Sequence, residues 1–237
     1  MSALRAEYKG GSGAVSMSQL NRGGGYVPTG GVRNTSIPTT DNNLSFSKYR
    51  NTSKTTVVTY EIIGAGGTGG FGVNNEGEAN RGSYGPSGGT SYLQISGVTS
   101  VTANGGAGGE NCHGARGTVG GAGVGTHYGA GGAGGPRTNN GSSPSSSAYG
   151  AGGGGGGGDS GGTYDKGGRS GQGGRAGTRH TGTLTVNYDT VISMLIGSRG
   201  GTNTTEYDGA RGTSGYARIA WDSKSSAKTS TGSATIN

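Results

Sequence analysis

Gly150-Ala151-Gly152-Gly153-Gly154-Gly155-Gly156-Gly157-Gly158 is the densest part of a glycine block spanning residues 104–181, and the spacing within that block decides the fold. Every third residue from Gly105 to Gly135 gives eleven positions, of which only Asn111 and Thr126 are not glycine. The other two registers of the same window hold three glycines each. From Gly150 to Gly177 the spacing repeats with eight glycines in ten positions, Asp159 and Asp165 being the exceptions. Three residues per turn is the period of a polyproline-II-type helix, which makes no internal hydrogen bonds. Its backbone groups must therefore bond to neighbours. Collagen is one solution, but it leans on abundant proline and this chain has five. The other packs several glycine-rich helices of one chain side by side, bare Cα atoms letting the backbones approach. That predicts a polyglycine-II-type helix sandwich with almost no α-helix. A β-meander or partial disorder is the alternative. Turns at Thr138-Asn139-Asn140-Gly141 and Ser142-Ser143-Pro144-Ser145 reverse the chain between helices.

Working outward, apolar alternating segments bracket the block: 57–63 (VVTYEII), 91–95 (SYLQI) running on through 98–103, 184–188 with 191–196, and 216–221 (YARIAW). Their period of two predicts strands. The fold class expected is mostly β and irregular, with one small sheet from which the glycine block projects. Residues 57–222 form this glycine-rich domain. Residues 223–237, rich in serine and threonine, read as a polar tail.

Residues 1–56 hold a short internal echo, Val15-Ser16-Met17-Ser18-Gln19-Leu20-Asn21-Arg22 against Leu44-Ser45-Phe46-Ser47-Lys48-Tyr49-Arg50. Two such elements bury little alone, so this unit is expected to dock on a partner.

Sixty glycines and a hydrophobic content of 27% argue against a conventional interior of large side chains. Ordered segments separated by glycine argue against simple disorder. The net charge of +7 is spread thinly and forms no nucleic-acid tract. The lone Cys112 excludes an internal disulfide, and no apolar run reads as a signal peptide or membrane span.

Motifs for chemistry are weak. Gly64-Ala65-Gly66-Gly67-Thr68-Gly69 matches the dinucleotide pattern G-x-G-x-x-G, but Phe71-Gly72-Val73-Asn74-Asn75 follows where a helix N-terminus is needed. Cys112-His113 and the histidines His113, His127 and His180 carry no catalytic or metal-ligand spacing. Arg22-Gly23-Gly24 and Arg199-Gly200-Gly201 are too far apart for an RNA-binding tract. No catalytic residue, cofactor or metal is therefore expected. The tyrosines of the block and its approaches, Tyr84, Tyr128, Tyr149 and Tyr164, find little side-chain core there and are expected at loop tips. Aromatic rings beside polar groups suit glycan or protein recognition. Tyr128, Tyr149 and Tyr164 are candidate stacking residues, with His127, Arg137, Asp165 and Lys166 as polar contacts.

An apolar strand ending in Gly-Ala-Gly-Gly, a glycine-rich middle and a final strand Gly215-Tyr216-Ala217-Arg218-Ile219-Ala220-Trp221 resemble the glycine-rich domains of bacteriophage tail-fibre and adhesin proteins. The Ser-x-Ser elements resemble segments upstream of such domains. The resemblance implies a virion tail protein, assembled in the host cytoplasm and attached to other tail proteins through residues 1–56. It implies recognition of a bacterial surface glycan or outer-membrane protein by a trimer or a single copy on a fibre tip. A purely structural tail component is the alternative. Glycine-rich ice-binding proteins are a further likeness, but their flat face would be interrupted by this chain's arginines and tyrosines.

Overall fold

The computed structural model describes residues 22, 37, 39, 55–72, 84–96, 98–111, 121–136, 139–157, 170–202 and 208–237. Among them there is no helix. Eight strands are present: β1 Thr55–Ile63, β2 Ser91–Ile95, β3 Val98–Ala103, β4 Arg179–Asn187, β5 Val191–Leu195, β6 Tyr216–Trp221, β7 Lys224–Lys228 and β8 Gly232–Thr235. They form two antiparallel sheets, ordered β4-β1-β6-β7 and β3-β2-β5-β8. The protein is mostly β, as its alternating segments predict, but the strands do not join in one sheet. The central strands concentrate their large apolar side chains on one face, and that face needs a second layer to cover it. Val58 and Ile62 of β1, Val186 of β4 and Ala217, Ile219 and Trp221 of β6 pool with Leu93, Ala103, Ile192, Met194 and Ile236 in a single core.

A second correction concerns the C-terminus. Residues 224–228 and 232–235, read as part of a polar tail, are strands that extend the two sheets at β6 and β5. Asp222 turns the β6–β7 hairpin at φ 48°, a left-handed conformation that aspartate tolerates. Its carboxylate accepts from Thr56 Oγ1 at 3.1 Å and Tyr188 OH at 2.9 Å.

At one end of the two sheets the strands run directly into glycine-rich segments. Residues 64–70 follow β1, 104–111 follow β3 and 196–202 follow β5; 84–90, 170–178 and 208–215 lead into β2, β4 and β6. Ser91 ties this junction: its hydroxyl donates to Ile63 O at 2.8 Å and accepts from Gly197 N at 2.9 Å.

Beyond the junction, backbone bonds run laterally between segments, with three-residue intervals. Gly64, Gly67 and Gly70 donate to Thr178, Arg175 and Gln172 at 2.8–3.0 Å. Ala65 and Thr68 donate to Gly89 and Pro86, and Gly66 and Gly69 to Thr213 and Ala210. In return, segment 64–70 accepts from Gly106 and Gly109, from Gly153 and Gly156, and from Gly200. It thus donates to three neighbouring segments and accepts from three others. Segment 150–157 is bonded in the same manner, to 64–70, 121–124, 131–135, 139–142, 171–177 and 210–214. The chain reverses on either side of 139–142, where Ser142 N donates to Ala133 O and Gly154 N to Ser142 O.

The bundle is therefore not a projection confined to residues 104–181; it draws on both sheets. The stretch with the dinucleotide-like pattern is its central strand of chain. Glycine is required here by proximity: a Cβ on Gly66 would collide with the Ala151 carbonyl, and one on Gly67 with that of Ala107.

The Ser-x-Ser echo lies outside the described residues apart from Arg22, as does Cys112. Within 1–56, Ile37 is fully buried.

Candidate functional site

The outer face of the β4-β1-β6-β7 sheet carries the densest group of polar and aromatic side chains among the described residues. Strand alternation places Glu61 and Ile63 of β1 on this face, opposite the core residues Val58 and Ile62. Register sets Ile63 between Arg179 of β4 and Tyr216 of β6, and Glu61 between Thr181 and Arg218. Glu61 thus lies diagonally from Arg179 and Tyr216, within reach of long side chains.

A tight turn reaches this face from the glycine bundle. Thr126 and Gly129 exchange both backbone hydrogen bonds, at 2.9 and 3.1 Å, leaving His127 and Tyr128 at the tip. Thr126 Oγ1 donates to Tyr149 O at 2.9 Å, fixing the turn to the segment that enters Gly150. Gly150, at φ 75°, passes directly over the Ile63 side chain, which leaves no room for a Cβ.

The tip folds down onto Glu61. Tyr128 OH donates to Glu61 Oε2 at 2.7 Å. Arg179 Nε and His127 Nε2 approach Oε1 at 2.6 and 3.1 Å. The Tyr149 ring stacks on Tyr216 with centroids 4.7 Å apart, and Tyr128 meets both edge-on at 5.3 Å. His127 leans on Tyr128 at 3.9 Å.

Burial by itself would raise the Glu61 pKa. The hydrogen bonds from Arg179 and Tyr128, with the charges of Arg179 and of protonated His127, outweigh it and hold the carboxyl below its ordinary value. Tyr128 moves the other way: burial, then its bonds to Glu61 and Tyr216, keep the phenol protonated far above neutrality. Neither group changes protonation near pH 7. The pair acts as a fixed hydrogen bond beneath the turn, not as a proton relay.

This coupling has a measurable sign. A lowered folded-state pKa means stabilisation that is complete above the ordinary value of 4.5 and is lost as the pH falls through the folded value. Glu61→Gln is expected to cost about 1–2 kcal/mol at pH 7. It should also shrink the stability difference between neutral and acid solution. Urea unfolding of both proteins at two pH values checks this, and an unchanged pH dependence in the variant would exclude the coupling.

Of the sequence-predicted site residues, His127, Tyr128 and Tyr149 are brought together. Arg137, Tyr164, Asp165 and Lys166 lie outside the described residues. Tyr128 and Tyr149 are at or beside a loop tip as expected, but the expectation that they lack a packing role is corrected: the Tyr216 ring and Glu61 hold them. Tyr84 stands apart, 64% exposed. Glu61, Arg179 and Tyr216 were not anticipated. The available signal was Glu61 itself, a charge set near the apolar end of a strand. Among the described residues no group of three or more His, Cys, Asp or Glu is arranged to hold a metal. No protein-family model, curated protein or solved structure matches this chain.

Proposed function

We propose that the chain is a virion tail protein, a tail-fibre or tail-tip adhesin that binds a component of the bacterial surface, built on a polyglycine-II-type scaffold. The observation that carries this reading is the bonding of segment 64–70 to six neighbouring segments through its backbone N–H and C=O groups, with the Thr68 hydroxyl adding one side-chain bond to Gly201 O. Residues 64, 67 and 70 address one neighbour, 65 and 68 a second, and 66 and 69 a third. That is the pattern of a helix with three residues per turn, whose N–H groups point in three directions. Such a scaffold makes few demands on the side chains of its connecting turns, so the turns are free to carry recognition. The role is binding rather than catalysis, in keeping with a Glu61–Tyr128 pair that does not titrate near neutrality.

In this reading residues 1–56 attach the chain to other tail proteins. The turn at His127 and Tyr128, with Tyr149, Arg137, Tyr164, Asp165 and Lys166, contributes to the receptor surface. His127 and Arg179 are the exposed members of the described cluster, at 42% and 50% for their side chains. The test is adsorption of the purified full chain to bacterial strains susceptible to the particle that carries it. Saturable adsorption is expected, weakened roughly tenfold by combined Tyr164→Ala and Lys166→Ala substitution. A folded chain that adsorbs to no susceptible strain would mean a structural tail component instead.

A further inference from the structure

The outer face of the β4-β1-β6-β7 sheet continues beyond Glu61 into a feature that the aromatic cluster does not occupy. A cavity of about 270 Å³ lies there, lined by Thr59, Tyr60, Glu61, Arg218 and Ala220. It is just below the roughly 300–1,000 Å³ typical of drug-sized ligands, a size suited to one sugar ring rather than a large cofactor. Its floor is set by register. Ala220 lies opposite Thr59, and Arg218 opposite Glu61. The small Ala220 side chain leaves a step between longer neighbours.

The polar groups around this step are already oriented. Thr59 Oγ1 donates its proton to Ala220 O at 3.3 Å, so the hydroxyl presents lone pairs to an incoming donor. Glu61 Oε1 is occupied by Arg179 and His127, while Oε2 accepts from Tyr128 and keeps one further acceptor site. The negative charge of Glu61 is offset by the Arg179 guanidinium 2.6 Å away. Arg218, by contrast, is exposed, and no described residue forms an ion pair or hydrogen bond with its guanidinium. The cavity thus offers two acceptors for hydroxyls and one cation uncommitted among the described residues. A chain of net charge +7 adds long-range attraction of the same sign.

We propose that this cavity is a subsite for an acidic glycan, a hexose ring bearing a carboxylate. The carboxylate meets Arg218 in the forked geometry that guanidinium favours, and ring hydroxyls donate to Thr59 Oγ1 and Glu61 Oε2. A neutral sugar forms the hydroxyl contacts but leaves Arg218 to solvent. The assignment rests on the surface-binding role proposed above and names its ligand class.

The experiment is calorimetric titration of the full chain with oligogalacturonate, with neutral dextran oligomers of equal length as the comparison. Wild type is expected to prefer the acidic oligomer, the preference falling as salt rises. Arg218→Gln, an exposed substitution, should weaken oligogalacturonate binding at least about tenfold while leaving thermal stability unchanged. Arg175→Gln removes the same charge from the glycine bundle and should change binding little. Three results would overturn the site: no binding of the acidic oligomer by folded wild type, equal binding by Arg218→Gln, or equal losses from both arginine substitutions. Cell adsorption separates this from the parent reading. Adsorption that survives Arg218→Gln, with no oligogalacturonate binding, removes the glycan site and leaves the adhesin. Selective oligogalacturonate binding without adsorption to any susceptible strain does the reverse.

Discussion

Replacing Gly153 by alanine is expected to destabilise the protein by about 3–5 kcal/mol, while the same change at Gly201 leaves stability unaltered or slightly raised. Gly153 lies within segment 150–157, its N–H donating to Gly67 O at 3.0 Å and its carbonyl accepting from Gly174 N at 2.8 Å. A Cβ there would overlap the Ala210 carbonyl and come within 2.7 Å of the Arg211 carbonyl carbon. These obstacles are backbone atoms, so no side-chain rotation relieves them. Segment 210–213 would have to move, straining the Ala210 N–H bond to Gly154 O and the Thr213 N–H bond to Ala151 O. Overpacking of this kind costs about 1–3 kcal/mol, and each disrupted hydrogen bond adds about 1. For a chain of this length the sum lowers Tm by roughly 10 °C.

At Gly201 an added Cβ meets only Pro86, at 3.6 and 3.7 Å, which is ordinary contact. There alanine acts mainly on the unfolded chain, whose freedom it reduces. Scanning calorimetry of both variants checks the contrast. Equal shifts would mean that backbone approach is not what selects glycine in the bundle.

The same geometry explains what the sequence makes legible. The strands at 57–63, 91–95, 98–103, 184–188, 191–196 and 216–221 are visible because an apolar residue at every second position records the buried face. Nothing in that alternation distinguishes one sheet from two. Partner choice depends on which edges meet, and Val58 would look the same facing Leu93 or solvent-side cover of another kind. β7 and β8 escape notice for a different reason. Lys224-Ser225-Ser226-Ala227-Lys228 and Gly232-Ser233-Ala234-Thr235 bury little, and they become strands because β6 and β5 offer unpaired backbone groups. The glycine period is clear over 104–135 and 150–177. Five shorter runs share it, at Gly64, Gly67 and Gly70; Gly66 and Gly69; Gly85 and Gly88; Gly197 and Gly200; and Gly209, Gly212 and Gly215. With two or three members each, they are too short for a period to stand out, yet they supply the centre of the bundle.

The site is less legible than the fold. His127, Tyr128 and Tyr149 attract attention by residue type and by their turn-rich setting. Glu61, Arg179 and Tyr216 are remote from them and from one another in sequence, Glu61 and Arg179 standing 118 residues apart along the chain. Only antiparallel pairing of β1 with β4 and β6 brings these three to one corner. Arg218 is legible as a charge on an alternating strand, but that Glu61, opposite it in register, is bonded instead to Arg179 follows only from the fold.

Leu93→Ala tests whether the sheets and the glycine bundle fold as one unit. Leu93 is fully buried in β2, paired across the sheet with Val101 and Met194. Truncating such a residue costs about 2–5 kcal/mol through lost burial and the cavity left behind. If the two parts were independent, that loss would stay in the sheets. The connections argue otherwise. Six strands pass without a break into glycine-rich segments, and Ser91, two residues before Leu93, bonds both Ile63 O and Gly197 N at the junction. The bundle has few large side chains to sustain it once these anchors loosen. Native-state hydrogen exchange can read both parts at once. The Ile219 amide reports the sheet core, and the Thr68 amide, which donates to Pro86 O at 2.9 Å, reports the centre of the bundle. Both are expected to lose protection by the same factor, about 100-fold for a loss near 3 kcal/mol. Loss at Ile219 with Thr68 unchanged would show the bundle to be stable without the sheets. Equal loss means that the backbone-bonded scaffold is held in place by the side-chain core from which its segments emerge.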